Sequence, residues 1–183
     1  RMDDSVTRVI DDQPQMIRRS KGYAPLPLYL DAGRAGAESS LSVFAAGSRV
    51  KNSFVLSKGP FLYMSQYFGD MDTVETRNLY EENVERLKGL FRIEQDKVVC
   101  DMHPLYYTTS FAEKYAEEHG LPLIKVQHHH AHVASVMAEH NIEGPVIGVS
   151  FDGTGYGEDG NIWGGEFLLC EGSRMERMCH LKY

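Results

Sequence analysis

The chain has 183 residues, 42% of them hydrophobic and 25% charged, with a formal net charge of -7 and a pI near 5.6. This is an ordinary globular composition, long enough for one domain and part of another, and its acidity argues against a broad nucleic-acid-binding surface. No apolar run approaches the roughly 18 residues of a membrane span, and no signal peptide is visible. Cys100, Cys170 and Cys179 are odd in number and widely spaced, which suggests neither a disulfide framework nor a thiolate zinc site; a reducing, cytoplasmic setting fits best.

Residues 1–20 carry Val6, Val9, Ile10 and Ile17 around an Asp11-Asp12-Gln13-Pro14 turn, the pattern of a strand hairpin. Arg18, Arg19 and Lys21 follow as a small basic knot, which either binds phosphate or is a solvated face. The proline-spaced Tyr23–Leu28 stretch reads as an extended linker, and residues 31–40, rich in Gly, Ala and Ser, as flexible. A second unit is expected to begin there. Leu41–Ala46, Arg49–Leu56 and Pro60–Gln66 read as three short strands. Residues 72–91 have helical spacing, with Val74, Leu79, Val84, Leu87 and Leu90 apolar. Lys97–Cys100 is expected to be a buried strand ending at Asp101, and Thr108–His119 a helix stopped by Gly120 and Pro122. Leu123–Val126 should be a strand, and a histidine-rich helix should run to about His140. Pro145–Phe151 is read as a strand ending at Asp152, and Gly164–Cys170 as its partner, with Asp159-Gly160 a candidate hairpin tip. This order predicts an α/β fold with a mixed sheet, and a strand pair at the end that restarts the first set. The chain opens at Arg1 and closes at Tyr183, and it reads as an excised piece of a longer protein.

The chemistry concentrates in His128-His129-His130-Ala131-His132 and Phe151-Asp152-Gly153-Thr154-Gly155-Tyr156-Gly157. A helix brings residues i and i+4 to within about 5–6 Å, so His128 and His132 can share one metal ion. Asp152 can add a carboxylate, and a glycine-dense turn can cradle phosphate with its N–H groups. The bland alternatives are polar helix histidines and an ordinary Asp-Gly turn. Imidazole with carboxylate suits zinc, iron or manganese without choosing among them. His129 and His130 point elsewhere on the helix and could orient the ligand rings. Lys51 and Lys58 are either phosphate partners or solvated edge charges. Asp101 could line a crevice or cap the next helix.

Val126-Gln127-His128-His129-His130-Ala131-His132 matches the VxHHxAH motif of carbamoyltransferases. Together with Lys51-Asn52-Ser53-Phe54, Ser65–Asp70, Cys100–Pro104 and Phe151–Phe167, it makes the chain resemble the HypF family of [NiFe]-hydrogenase maturation along essentially its whole length. The resemblance implies that residues 1–30 are the tail of a YrdC-like domain. Residues 31–183 would be the first half of an actin-like ATPase domain related to the tRNA threonylcarbamoyladenosine transferases. It further implies a reaction in which carbamoyl phosphate is hydrolysed to carbamate. Carbamate is then joined to ATP, with Mg, as carbamoyl adenylate, and the carbamoyl group passes to the C-terminal cysteine of the partner protein HypE.

On this chain the resemblance places a divalent metal, iron or zinc, on His128, His132 and Asp152, with a fourth aspartate ligand beyond Tyr183. Gly153, Thr154 and Gly155 would meet phosphate, and Lys51 and His129 would serve catalysis. Ser5, Arg18 and Arg19 would lie near the adenylate. Neither nucleic acid nor membrane is expected as a partner. Two other enzymes share parts of the pattern: a small-molecule O-carbamoyltransferase and a tRNA threonylcarbamoyl transferase. The position of the YrdC-like tail ahead of the histidines disfavours the first, and the acidic balance and Ala131 disfavour the second. A non-enzymatic metal-binding or partner-docking module is a third reading.

Overall fold

The computed structural model describes residues 3–30 and 41–182, so the expected flexible stretch at 31–40 lies outside the described residues. The chain divides into two compact units, one of Arg1–Cys100 with Leu105–Ile124, the other of Asp101–Pro104 with Lys125–Tyr183. The class is α/β with a mixed sheet, as the order of elements predicted.

In the first unit, β1 (Val6–Ile10) and β2 (Gln13–Arg18) form the expected antiparallel hairpin, with Asp11 and Asp12 at φ 49° and 58° in its two-residue turn. The proline-spaced stretch is not wholly linker. Its end forms β3 (Leu28–Tyr29), which pairs with β6 (Phe61–Met64) at the edge of a six-stranded sheet. The order in that sheet is β3-β6-β5-β4-β7-β8, with β4 at Val43–Ala45, β5 at Val55–Lys58, β7 at Lys97–Asp101 and β8 at Leu123–Val126. β4 runs antiparallel to β5 and parallel to β7, which makes the sheet mixed.

The strand expected over Arg49–Leu56 begins only at Val55, because the preceding residues are held as a loop. Lys51 sits at φ 51°, and the buried Asn52 amide donates to Ala46 O and Ser48 O at 3.2 and 2.6 Å. Gly47 has φ 73°, and a Cβ there would come within 2.4 Å of Ser53 O.

Helix α1 (Val74–Phe91) starts at Thr73, whose hydroxyl accepts from the Thr76 N–H at 3.2 Å. Its buried stripe is Tyr80, Asn83, Val84 and Leu87, an i, i+3, i+4, i+7 spacing. Val74 and Leu90, read from sequence as part of that face, are more than 60% exposed at the helix ends. Tyr80 centres the stripe because its ring packs edge-on against Phe54 and Phe111 while its hydroxyl donates to Ala46 O at 2.8 Å. Helix α2 (Tyr107–His119) adds Phe111 and Tyr115 to the same aromatic core and ends at Gly120, φ 64°.

The second unit is an antiparallel sheet of order β11-β10-β9, with β9 at Val146–Tyr156, β10 at Ile162–Glu171 and β11 at Arg174–His180. Helix α3 (His128–Glu139) packs on β9. Where α3 approaches most closely the strand has glycine. A Cβ on Gly148 would lie 2.3 Å from Val133 Cγ2, and one on Gly155 would lie 2.4 Å from His129 Cε1. An exposed connector, residues 140–145, joins α3 to β9, with Asn141 at φ 53° and Gly144 at φ 82°. Among the described residues, no helix is long and apolar enough to cross a membrane.

Two sequence expectations change here. Asp152 does not end its strand: β9 continues four residues further, to Tyr156, and the turn falls at 157–161, around Asp159-Gly160. The final strand pair is a three-stranded sheet, since β11 pairs with β10 as well.

Candidate metal centre

Helix α3 begins at Gln127, whose side-chain Oε1 accepts from the His130 N–H at 3.0 Å. One helical turn then sets His128 and His132 on the same face, their rings 4.8 Å apart between centroids. Asp152 reaches them from the middle of β9. His128 Nε2 lies 3.2 Å from His132 Nε2 and 2.8 Å from Asp152 Oδ2, and His132 Nε2 lies 3.4 Å from that oxygen. The three residues offer ligand atoms that all fall within 4.8 Å of one another.

A tetrahedral ion with bonds of about 2.0–2.2 Å needs donors about 3.3–3.6 Å apart. Two of the three spacings are close to that, and the third is a hydrogen-bond distance. The set of two imidazoles and one carboxylate therefore fits a divalent transition metal in both chemistry and size.

The far side of His128 is also occupied. Its Nδ1 lies 2.7 Å from Asp101 Oδ2, and Asp101, the last residue of β7, is buried. The Asp101 Oδ1 accepts from the His103 N–H at 2.9 Å, which keeps the carboxylate in place. A carboxylate behind a histidine fixes the tautomer with the proton on Nδ1, leaving Nε2 as the ligand atom. The sequence placed Asp101 at a strand end but left its role open between crevice and cap. Asp101 does not cap α2, whose N-cap Tyr106 makes no side-chain cap hydrogen bond; its pairing with His128, 27 residues away, is a tertiary contact that no local pattern encodes.

Electrostatics follow from this arrangement. The hydrogen bond to Asp101 raises the His128 pKa above its ordinary 6.5 against the opposing effect of burial, with Asp152 adding to the rise. Burial would raise the Asp152 carboxyl. The Gly153 N–H at 2.6 Å, with His128 and His132, outweighs burial and holds the carboxyl below its ordinary 3.8. The imidazolium of His128 thus stabilises the metal-free fold fully below about pH 6.5, and that contribution is lost as pH rises through the raised folded value. The Asp152 contribution is present above about pH 3.8 and lost as pH falls through its depressed value. In chelator, the thermal midpoint of the chain should fall as pH is raised from 6 towards 8. With a divalent metal present the trend should reverse, because ligand nitrogens must be deprotonated to bind. Thermal melts across that range, with and without metal, check both signs.

The remaining predicted site residues are placed as follows. His129 is fully buried between α3 and β9, with its Nδ1 3.0 Å from Gln127 Nε2 and burial lowering its pKa. That position lets His129 contact Gln127 at the start of α3. His130 Nε2 lies 3.2 Å from Gly172 O. Gly153 spends its N–H on Asp152, Gly155 pairs with Trp163 in the ladder, and Thr154 is exposed. Lys51, Ser5, Arg18 and Arg19 belong to the first unit and are not brought into the unit that holds the histidines. Ser5 Oγ bridges Lys21 O and the Ser20 N–H, Arg18 lies 4.4 Å over the Tyr67 ring, and Arg19 donates to Leu26 O at 2.7 Å.

Comparison with known proteins gives consistent matches. A family described as HypF Kae1-like domain matches residues 38–139, more than half of the chain. A second, described as carbamoyltransferase, Kae1-like domain, second subdomain, matches residues 148–183. Carbamoyltransferase HypF of Synechocystis sp. is 39% identical over 99% of this chain and 23% of its own length. Probable carbamoyltransferase HypF of Methanocaldococcus jannaschii is 36% identical over 100% of this chain and 23% of its own length. A crystal structure of full-length HypF in the phosphate- and nucleotide-bound form superposes with a TM-score of 0.86 at 45% identity, covering 100% of this chain and 23% of that one. The structure of T. kodakarensis HypF superposes with a TM-score of 0.87 at 40% identity, with the same coverage. The chain thus spans about a quarter of the length of the relatives it matches.

Proposed function

The chain belongs to the HypF carbamoyltransferase family, and from that premise we propose that it forms the metal-bearing part of an enzyme acting on carbamoyl phosphate and ATP. In this reading the longer polypeptide converts carbamoyl phosphate and ATP, with Mg, to carbamoyl adenylate. It then delivers the carbamoyl group to the C-terminal cysteine of HypE for cyanide-ligand synthesis in [NiFe]-hydrogenase maturation. Residues 1–30 are read as the tail of a YrdC-like domain and 31–183 as the first half of an actin-like domain. The observation that supports the reading best is the meeting of His128, His132 and Asp152 within 4.8 Å, with Asp101 behind His128, in a chain of this family.

The residues divide the work by position. Asp101 holds the His128 ring with Nε2 turned towards Asp152. His132, with its side chain 56% exposed, and Asp152, 34% exposed, open the centre to solvent on one side. His132 also lines a groove between α3 and β9 whose other lining residues, among them Val133, Val136, Met137 and Val146, are mostly apolar. In this reading a carbamoyl or phosphoryl group reaches the centre at the exposed His132 and Asp152 side chains. Thr154, exposed two residues along β9 from Asp152, then supplies a hydroxyl donor to it in this reading, while the Gly153 N–H is engaged by Asp152. A divalent metal, iron or zinc, bound by this set supplies Lewis acidity to a carbamoyl or phosphoryl oxygen.

The test measures metal content by elemental analysis and carbamoyl-phosphate-dependent ATP–pyrophosphate exchange. Both are read in a polypeptide of the relatives' full length carrying this segment, as wild type, His128→Ala and His132→Ala. Loss of both in the variants is the expected result. Full exchange activity in variants that bind no metal would sink the reading.

A further inference from the structure

One side chain outside the ligand set ties the two halves of the centre together. Gln127 is 3% exposed, and its amide is used in full. Oε1 accepts from the His130 N–H at 3.0 Å. Nε2 donates to Tyr156 O at 3.3 Å and faces His129 Nδ1 at 3.0 Å. Tyr156 O is a carbonyl and can only accept, so the amide orientation is settled by the network. His129 Nδ1 is then an acceptor, and its proton sits on Nε2, which is buried and without a hydrogen-bond partner among the described residues. Gln127 thus grips the first turn of α3, which carries His128 and His132, and the last residue of β9, which carries Asp152 four positions earlier. The gap it spans is short because Gly155 leaves no Cβ against His129. A change in this grip slides the helix ligands relative to the strand ligand, and metal binding is sensitive to donor displacements of a few tenths of an ångström.

We propose that Gln127 is a positioning residue of the metal centre, whose side-chain amide sets the spacing between the α3 imidazoles and the Asp152 carboxylate. The proposal rests on the metal-binding reading above. Its role goes beyond helix capping, and two variants separate these. Gln127→Asn keeps a good cap for α3 but is one methylene too short to span to β9. Gln127→Glu keeps the length and the cap acceptor but loses both N–H donors.

The experiment titrates the 183-residue chain with Co²⁺, reading the dissociation constant and the visible absorption of the bound ion. The thermal midpoint of the metal-free chain is measured alongside. Both variants should bind Co²⁺ about 10–100-fold more weakly, the range found for groups that orient metal ligands, and with a shifted spectrum. A folded variant that binds with wild-type affinity and an unchanged spectrum overturns the proposal, and Gln127→Glu decides alone if Gln127→Asn does not fold. A wild-type chain that binds no Co²⁺ overturns the proposal together with the metal-binding reading. Wild-type binding that the variants share overturns the positioning role and leaves that reading standing.

Discussion

Replacing Asp101 by alanine is expected to weaken divalent-metal binding by about 10–100-fold, although Asp101 is not among the three clustered candidate ligands. Asp101 acts through His128. At 2.7 Å from Nδ1 it fixes which nitrogen carries the proton and aims the other at Asp152. Without it the ring is free to rotate and to place its proton on Nε2, and each binding event must first reverse that. His128→Ala removes a candidate ligand outright and should cost more. The two changes are not additive: once His128 is gone, removing Asp101 should cost almost nothing further in affinity, because the interaction it served no longer exists. Competition against a chelator of known affinity, across wild type, the two single variants and the double variant, measures the cycle. A double variant markedly weaker than His128→Ala would show that Asp101 reaches the metal by another route.

The second large effect is on stability. Gly155→Ala should destabilise the second unit by about 1–3 kcal/mol, the usual cost of forcing a methyl into a packed interior. The added Cβ would sit 2.4 Å from His129 Cε1, 2.7 Å from His129 Nδ1 and 3.1 Å from His128 Cβ. None of these atoms is the end of a flexible chain, so the helix must move and take His128 with it. Gly153→Ala is the control. A Cβ there meets nothing within 4 Å, and its φ lies outside the left-handed region. Thermal melts of the metal-free chain should separate the two variants clearly. Equal midpoints would show that the close approach of α3 to β9 relaxes without cost.

These two glycines also show what the sequence could and could not tell. Alternating glycines after Asp152 were visible, and two physical needs produce such a pattern: N–H groups exposed to an anion, or a backbone that another element must approach. The structure gives a packing reason for Gly155 and spends the Gly153 N–H on Asp152, neither of which spacing could distinguish. The meeting of His128, His132 and Asp152 was more legible. The i, i+4 histidines are set by helix geometry alone, and Asp152 was picked out beside the glycines although it lies in mid-strand rather than at the strand end. Asp101 and Gln127 were not legible as partners of the site, because their contacts join residues 27 and 29 positions apart. Among the strands, Leu123–Val126 matched its expected limits because its boundaries coincide with Pro122 and the helix start. Arg49–Phe54 did not, because Asn52 folds that segment onto Ala46 and Ser48 by a buried amide, which outweighs strand propensity.

The exposed connector at 140–145 carries the chain from α3, which bears His128 and His132, to β9, which bears Asp152. Cutting it, for instance after Glu143 with a glutamate-specific protease, would turn an intramolecular chelate into a two-fragment one. Its donors would then be held together by docking and by the ion itself. A bound ion should therefore retain the fragments as one species on gel filtration and release them on chelation, so that occupancy of the centre becomes readable as the molecular mass of a nicked chain.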